Sequence, residues 1–257
     1  LDQSLGASER IAIISDVHGN LTALETVLAH IKESGITRIF NLGDLVGKGP
    51  RSAEAVDRCR AVCEVTVRGN WDADVAGRPD PVPVTVQWHR AQLGEERLAY
   101  LAALPGSFDF MLSGRWVRLF HASQMGVFDR VHMAGPREAH RAMFDNTDFT
   151  GFGSEPQIVA YGDLHVAYAL NFDNRTLFNA GSVGNPLDLP LASYAVLQGT
   201  YGAETPLPWS LDFIRLPYDI EGEIAAAEAS GMPDLGYYAN ELRTAIYRGR
   251  TPLLHAT

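Results

Sequence analysis

The sequence predicts an α/β fold built from βαβ units. Three observations carry that expectation: short β-branched runs alternate with amphipathic helical stretches from Ile11 onward, the runs have strand length, and a polar, metal-competent residue follows one run after another. The size of the chain agrees. With 257 residues, 46% apolar and 20% charged, it can bury a sizeable core and reads as a single domain over 1–257.

The elements follow in order. Residues 11–15 (IAIIS) form a short apolar run suited to a strand buried on both faces. Over 21–34, Leu21, Leu24, Val27, Leu28 and Ile31 fall on one helical stripe, with Asn20 as N-cap and Gly35 just past the end. Residues 38–42 repeat the strand signal, 52–61 the helix signal and 64–68 a third strand. The stretch 85–105 changes character: two helices separated near Gly94 and closed by Pro105 read as a small helical insertion between strands. Strand signals return at 116–120 and 157–161 around a short helix at 136–145. Short strands at 166–172, 176–178, 193–197 and 211–216 come next, and helices at 219–230 and 235–248 end the series. Residues 1–10 precede the first strand signal and are expected to be disordered.

Composition narrows the function. The net charge of −10 disfavours a protein whose affinity rests on neutralising many phosphates of polymeric nucleic acid. No apolar run has the length of a membrane helix, so no membrane partner is expected. Only Cys59 and Cys63 are present, and they read as small buried fillers rather than a disulfide framework. With no basic segment followed by an apolar one near Leu1, these features point to a cytoplasmic setting. Oligomeric state leaves no signal.

Chemistry gathers at the strand ends. Asp16 and His18 follow the first strand, Asp44 the second, Asn70 the third, His121 the run 116–120, and Asp163 with His165 the run 157–161. Taken singly, such an Asp is usually a turn or helix cap and such a His a packed residue. Jointly, five strand ends carrying ligand-type residues converge on one edge of a sheet, where open α/β folds build their sites. Three of the five carry a glycine immediately before the ligand: Gly43-Asp44, Gly69-Asn70 and Gly162-Asp163. His30, His89 and His140 on helical segments, and His132 and His255 in loops, have no ligand-spaced partner and read as ordinary residues.

The ordered series Asp16-Val17-His18, Gly43-Asp44, Gly69-Asn70-Trp71-Asp72, His121 and Gly162-Asp163-Leu164-His165 resembles the calcineurin-like metallophosphoesterase superfamily. The segment Asn179-Ala180-Gly181-Ser182-Val183-Gly184-Asn185-Pro186 is similar to a stretch of its small bacterial and archaeal phosphodiesterases, and the likeness runs from about Ile11 to Arg248. As a bare glycine turn that segment is only a weak sign of a phosphate nest. The resemblance implies a four-layer α/β/β/α sandwich. It also implies two divalent transition metals, Mn first, with Fe, Zn or Ni as alternatives that suit mixed imidazole and carboxylate ligation. By matching positions, Asp16, His18 and His165 would bind the first metal, Asp44 would bridge both, and Asn70, His121 and Asp163 would surround the second. A hydroxide bridging the metals would attack a small phosphorylated substrate, a phosphodiester or nucleotide phosphoanhydride, with Asp44, Asn70 and His121 as the catalytic set. The alternative is a degenerate member that binds metal or nucleotide with little turnover.

Two positions depart from the family pattern. Trp71 stands where a histidine usually protonates the leaving group, and an indole N–H is not a transferable proton. Asp163 stands where a histidine is usual. Replacing a neutral imidazole by a carboxylate adds one negative charge, makes the pocket less positive and turns preference from monoesters toward diesters or anhydrides. Trp71, by stacking on a base, and Lys48, by leaning toward a phosphate, are the candidate substrate-binding residues.

Overall fold

A computed structural model of the chain describes residues 7–249. Two five-stranded mixed sheets lie face to face. The first has the order β10-β9-β1-β2-β3, formed by β1 (Glu9–Ile14), β2 (Arg38–Asn41), β3 (Val65–Thr66), β9 (Ala192–Gly199) and β10 (Ser210–Leu216). The second has the order β4-β5-β6-β8-β7, formed by β4 (Ser107–Leu112), β5 (Arg115–Phe120), β6 (Ile158–Tyr161), β7 (Ala167–Phe172) and β8 (Arg175–Ala180). In each sheet the three strands that lead to the candidate ligands or their supports run parallel: β1, β2 and β3 in one, β5, β6 and β8 in the other.

The alternation of side chains along β1 shows how the layers arise. Ile11 and Ile13 point into a core shared with Phe110, Val117, Leu119 and Phe178 of the facing sheet. Ala12 and Ile14 point the other way, into a second core with α1 (Leu21–Glu33), α2 (Ser52–Val62) and α4 (Val84–Ala103). Both faces are therefore apolar, which is why IAII reads as a continuous run rather than an alternating one. On the outer face of the second sheet, Val159, Tyr161 and Leu177 pack with Met143 and Phe144 beside α5 (Arg137–Ala142). The result is the α/β/β/α sandwich. α6 (Ile220–Ser230) and α7 (Leu235–Thr244) pack on each other around Ile224, Tyr238 and Leu242.

Local signals hold where they have a physical cause. Asn20 caps α1, its Oδ1 accepting the Ala23 N–H at 2.9 Å. α4 is broken at Gly94, whose φ of 68° and ψ of 168° separate two helical halves. Three differences stand out. Strand β1 starts at Glu9, so Glu9 and Arg10 are paired with Gly199 and Gln198 rather than disordered, and residues 1–6 lie outside the described chain. β4 has no counterpart in the sequence reading, although Phe108, Phe110 and Leu112 alternate with more polar or exposed positions. Asn70 and Trp71 open an eight-residue helix, α3 (Asn70–Gly77), that the residue pattern does not announce. Among the described residues no helix is long and apolar enough to cross a membrane.

Candidate metal centre

The turns after the strands are sewn together by backbone bonds. Asp16 N–H donates to Gly43 O (3.0 Å), His18 N–H to Asp44 O (2.9 Å), Gly162 N–H to His121 O (2.9 Å) and Gly184 N–H to Asp16 O (3.0 Å). Close approach demands glycine: a Cβ on Gly69 would lie 2.3 Å from the Asp44 nitrogen, and one on Gly184 would lie 1.8 Å from Val17 O. The 179–186 segment is a brace of the fold, since Val183, Gly184 and the Ser182 hydroxyl all donate to main-chain oxygens of Ser15 or Asp16.

The structure brings the predicted residues together. Asp16, His18 and His165 form one cluster able to hold a metal ion, and Asp16, Asp44 and His121 form a second that shares Asp16. Asp44 Oδ2 lies 3.5 Å from both His18 Nε2 and His121 Nε2, between the two clusters. Asn70 Oδ1 lies 3.0 Å from His121 Nε2. Asp16, His18, Asp44, Asp163 and His165 all adopt left-handed backbone, with φ between 50° and 65°. Each such non-glycine residue costs on the order of 1 kcal/mol, and five in one place mark strain concentrated at a site.

Ring orientation fixes the chemistry of the imidazoles. His18 Nδ1 donates to Val46 O (2.9 Å), His121 Nδ1 donates to Leu42 O (2.8 Å), and His165 Nδ1 donates to Asn185 O. In the neutral ring each Nε2 is then an unprotonated lone pair turned toward the carboxylates, the arrangement of a metal-ligating histidine. His18 Nε2 and His165 Nε2 face each other at 3.1 Å, and Asp16 Oδ1, 3.2 Å from His165 Nε2, is buried without a hydrogen-bond partner. Opposed lone pairs beside an orphaned carboxylate oxygen repel unless a cation lies among them. The donor set of imidazole nitrogen and carboxylate oxygen therefore fits a transition-metal ion.

Electrostatics agree with this arrangement at His18; at His121 burial is outweighed by the charge and hydrogen bond of Asp44 and by the charges of Asp16 and Asp163, which raise its pKa well above the ordinary imidazole range. Burial, followed by the charge of Lys48, holds His18 far below the ordinary imidazole range and thus neutral. Burial raises the Asp16 carboxyl, but the neighbouring imidazoles, His165 first and then His121, outweigh it and keep Asp16 ionised. For Asp44, burial dominates and pushes the pKa up, while His121 opposes it.

Two other residues, Asp72 and Arg130, were given no role by the sequence pattern, although Asp72 lies inside one of its motifs. Asp72 is buried and accepts N–H bonds from Asp44 (2.8 Å), Leu45 (2.9 Å) and Gly69 (2.9 Å), so one carboxylate fastens the second and third strand-end turns. Burial and the Asp44 charge push its pKa up to about 7, against the pull of its backbone donors. Arg130 grips Asp163 through Nε and Nη2, both at 2.6 Å. This corrects the charge count, because Asp163 is not an unneutralised carboxylate and its negative charge is matched within the site. A pocket made less positive by Asp163 is therefore not a reason to disfavour monoesters.

Trp71 and Lys48 flank the centre. The Trp71 backbone N–H donates to Asp44 Oδ1 (2.8 Å), its indole packs against Gly47, where a Cβ would lie 2.4 Å from Cε3, and its ring meets His18 edge-on with centroids 6.2 Å apart. Lys48 Nζ donates to Asn185 Oδ1 (2.7 Å) and lies 4.0 Å from Glu241. Both line a narrow cleft with His89, Tyr237, Tyr238 and Arg248.

His89, an ordinary helical residue by its spacing, is buried against Ser52 Oγ (3.0 Å) and edge-on to Trp71. His255 lies outside the described residues. Burial lowers the His89 pKa from 6.5 to about 4. Because the folded value is the lower one, the stability due to neutral His89 is present above pH 6.5 and is lost as pH falls toward 4. The loss amounts to at most about 3 kcal/mol. His89→Gln is expected to flatten the decline of stability over that window, measured by urea unfolding at pH 7, 5.5 and 4.5. Parallel declines in variant and wild type would rule the assignment out.

Fold and centre together define a class: two-sheet α/β/β/α proteins with a carboxylate and imidazole cluster at the strand ends. The model of the calcineurin-like phosphoesterase superfamily domain matches residues 10–200, and the chain belongs to that superfamily. It is 29% identical over 222 residues to an uncharacterized protein of Methanocaldococcus jannaschii, covering 82% of this chain and 88% of the relative. It is 27% identical over 198 residues to the phosphodiesterase YfcE of Escherichia coli, covering 73% of this chain and 86% of the relative. Among solved structures, a metallophosphoesterase from Sphaerobacter thermophilus is similar with a TM-score of 0.71 and 28% identity, over 93% of this chain and 100% of that one. These findings support phosphoesterase activity dependent on metal. The matched domain ends before β10, α6 and α7, whereas the likeness to the Sphaerobacter structure extends over 93% of the chain, in keeping with the expected span of 11–248.

Proposed function

We propose that the chain is a cytoplasmic, dinuclear-metal phosphodiesterase that hydrolyses a small phosphodiester or a nucleotide phosphoanhydride. The observation that carries this reading is the facing pair of His18 and His165 Nε2 lone pairs beside the unpartnered Asp16 Oδ1. Asp16, His18 and His165 would hold one divalent ion, Asp44 would serve both, and Asn70 and His121 would hold the other, with Mn²⁺ the first candidate. When bound, such ions supply an activated water and offset the charge of the phosphoryl oxygens.

The protein's own groups set the limits of the reaction. Asp72 and the glycine turns hold Asp44 in place, and the Nδ1–carbonyl bonds hold the three imidazoles in one tautomer. Trp71 offers no proton to a departing oxygen, so the favoured substrates are those whose leaving group departs as a stable anion: aryl diesters and phosphoanhydrides. Trp71 and Lys48 line the cleft that would receive the remainder of the substrate.

The reading is tested with Mn²⁺-loaded protein on bis(p-nitrophenyl) phosphate, a dinucleoside polyphosphate and p-nitrophenyl phosphate, alongside elemental analysis. Two metals per chain and hydrolysis of the first two substrates support it. No metal and no turnover favour a binding protein. Trp71→His is expected to raise kcat for diesters with alkoxide leaving groups by about 10²-fold, with little change for bis(p-nitrophenyl) phosphate. Equal gains on both would show that proton donation is not what Trp71 lacks.

A further inference from the structure

Resting on the phosphoesterase reading of this centre, we propose that Arg130 is a substrate-binding residue that takes a phosphoryl oxygen, and that Asp163 is its positioning residue rather than a metal ligand. Asp163 is buried, in left-handed backbone, with its N–H donated to Asp16 Oδ2 (3.1 Å). Both of its carboxylate oxygens are occupied by the Arg130 fork at 2.6 Å. Asp163 belongs to neither of the two clusters able to hold a metal, although its Oδ1 lies 3.9 Å from His121 Nε2. A guanidinium anchored to that carboxylate lies within a phosphate ion's reach of His121.

Geometry leaves Arg130 free to bind. The fork to Asp163 uses Nε and Nη2, which leaves Nη1 for another acceptor, and the side chain is 49% exposed. Its loop is braced: Ser123 and Gly126 exchange backbone bonds, Val127 is buried, and the Tyr161 hydroxyl donates to Val131 O (3.3 Å). A planar donor held at one edge by a buried carboxylate loses little freedom on meeting an oxyanion.

A purely structural pair is the competing account, and chemistry weighs against it. An imidazole at position 163 would need no counter-ion. The sequence instead spends two charged residues, 33 apart, whose charges cancel and whose product is a set of N–H donors at the rim of the centre. Because the guanidinium keeps its charge at any working pH, it would offer an unchanging anion contact beside groups whose protonation varies.

The test compares wild type, Arg130→Lys, Arg130→Ala, Asp163→Asn and the Arg130→Ala/Asp163→Asn double variant, each dialysed against Mn²⁺. Bound metal is measured by elemental analysis, and affinity for inorganic phosphate by calorimetry. Asp163→Asn is expected to keep the metal content of the wild type. Phosphate affinity is expected to fall about 10- to 100-fold in Arg130→Ala and in Asp163→Asn, with partial retention in Arg130→Lys. The double variant is expected to be no weaker than Arg130→Ala alone, the coupling that a positioning role requires. Loss of a metal equivalent in Asp163→Asn would return Asp163 to the ligand shell. Unchanged phosphate affinity in Arg130→Ala would overturn the assignment of Arg130. If wild type hydrolyses none of the esters, the phosphoesterase reading falls, while the calorimetric comparison still decides the role of Arg130.

Discussion

Asp44→Asn is expected to lower Mn²⁺-dependent diester hydrolysis on the order of 10³-fold or more while leaving the metal-free protein at least as stable as wild type. The two effects share one cause. Asp44 Oδ2 stands 3.5 Å from both His18 and His121 Nε2, and no other carboxylate lies that close to this pair of imidazoles among the described residues. Removing its charge takes away the group proposed to serve both ions. The same charge is costly without cations. Burial and Asp16 push the Asp44 pKa up, and Asp44 in turn raises Asp72. A neutral amide of the same shape relieves that repulsion, worth about 1–2 kcal/mol. Rates and bound Mn²⁺ read the first effect, and thermal unfolding in EDTA reads the second. Activity within tenfold of wild type, or a marked fall in the metal-free melting temperature, would contradict this account.

Gly69→Ala is expected to destabilise the protein by about 3 kcal/mol, the upper range for overpacking, and to reduce activity as well. The backbone of Gly69 is ordinary, with φ of −91°, so the effect is one of space. Its missing Cβ would lie 2.1 Å from Asp44 Oδ1 and 2.3 Å from Asp44 N, and a Cβ on Gly43 would lie 2.4 Å from Gly69 N. The two glycines let the second and third strand-end turns meet backbone to backbone. An added methyl must push Asp44 away from its imidazole partners, and a displacement near 1 Å in such a site costs about 10²-fold in rate. The urea midpoint and the rate should therefore fall together. A stable Gly69→Ala protein with wild-type turnover would show that these turns can separate without consequence.

The strand-end logic was legible because each motif carries its own local cause. A strand, a glycine or left-handed turn and a polar residue recur at Asp16, Asp44 and Asp163, and the parallel strands of the two sheets, rather than of the single sheet expected from the strand ends, deliver those turns to one end of the sandwich. Elements defined by distant partners were not legible. Arg130 sits in an irregular loop and meets Asp163 only in three dimensions, so nothing in its neighbourhood marks it. His89 gains its surroundings from Ser52 and Trp71, which lie on other helices. β4 could have been read from its alternation, but it follows directly on the helical stretch closed by Pro105, where a loop is the simpler expectation. Asp72 lay inside the recognised motif, yet its three main-chain donors depend on how two turns fold over it.

The carbonyls that aim His18, His121 and His165 belong to the main chain of Val46, Leu42 and Asn185. A peptide oxygen is present whichever amino acid occupies a position, so the orienting apparatus is inherited with the path of the chain and not with any codon. Over generations the three supporting positions can drift through replacements that preserve that path without turning the rings. The imidazoles have no such latitude, which makes them the last part of the centre that mutation can rewrite silently.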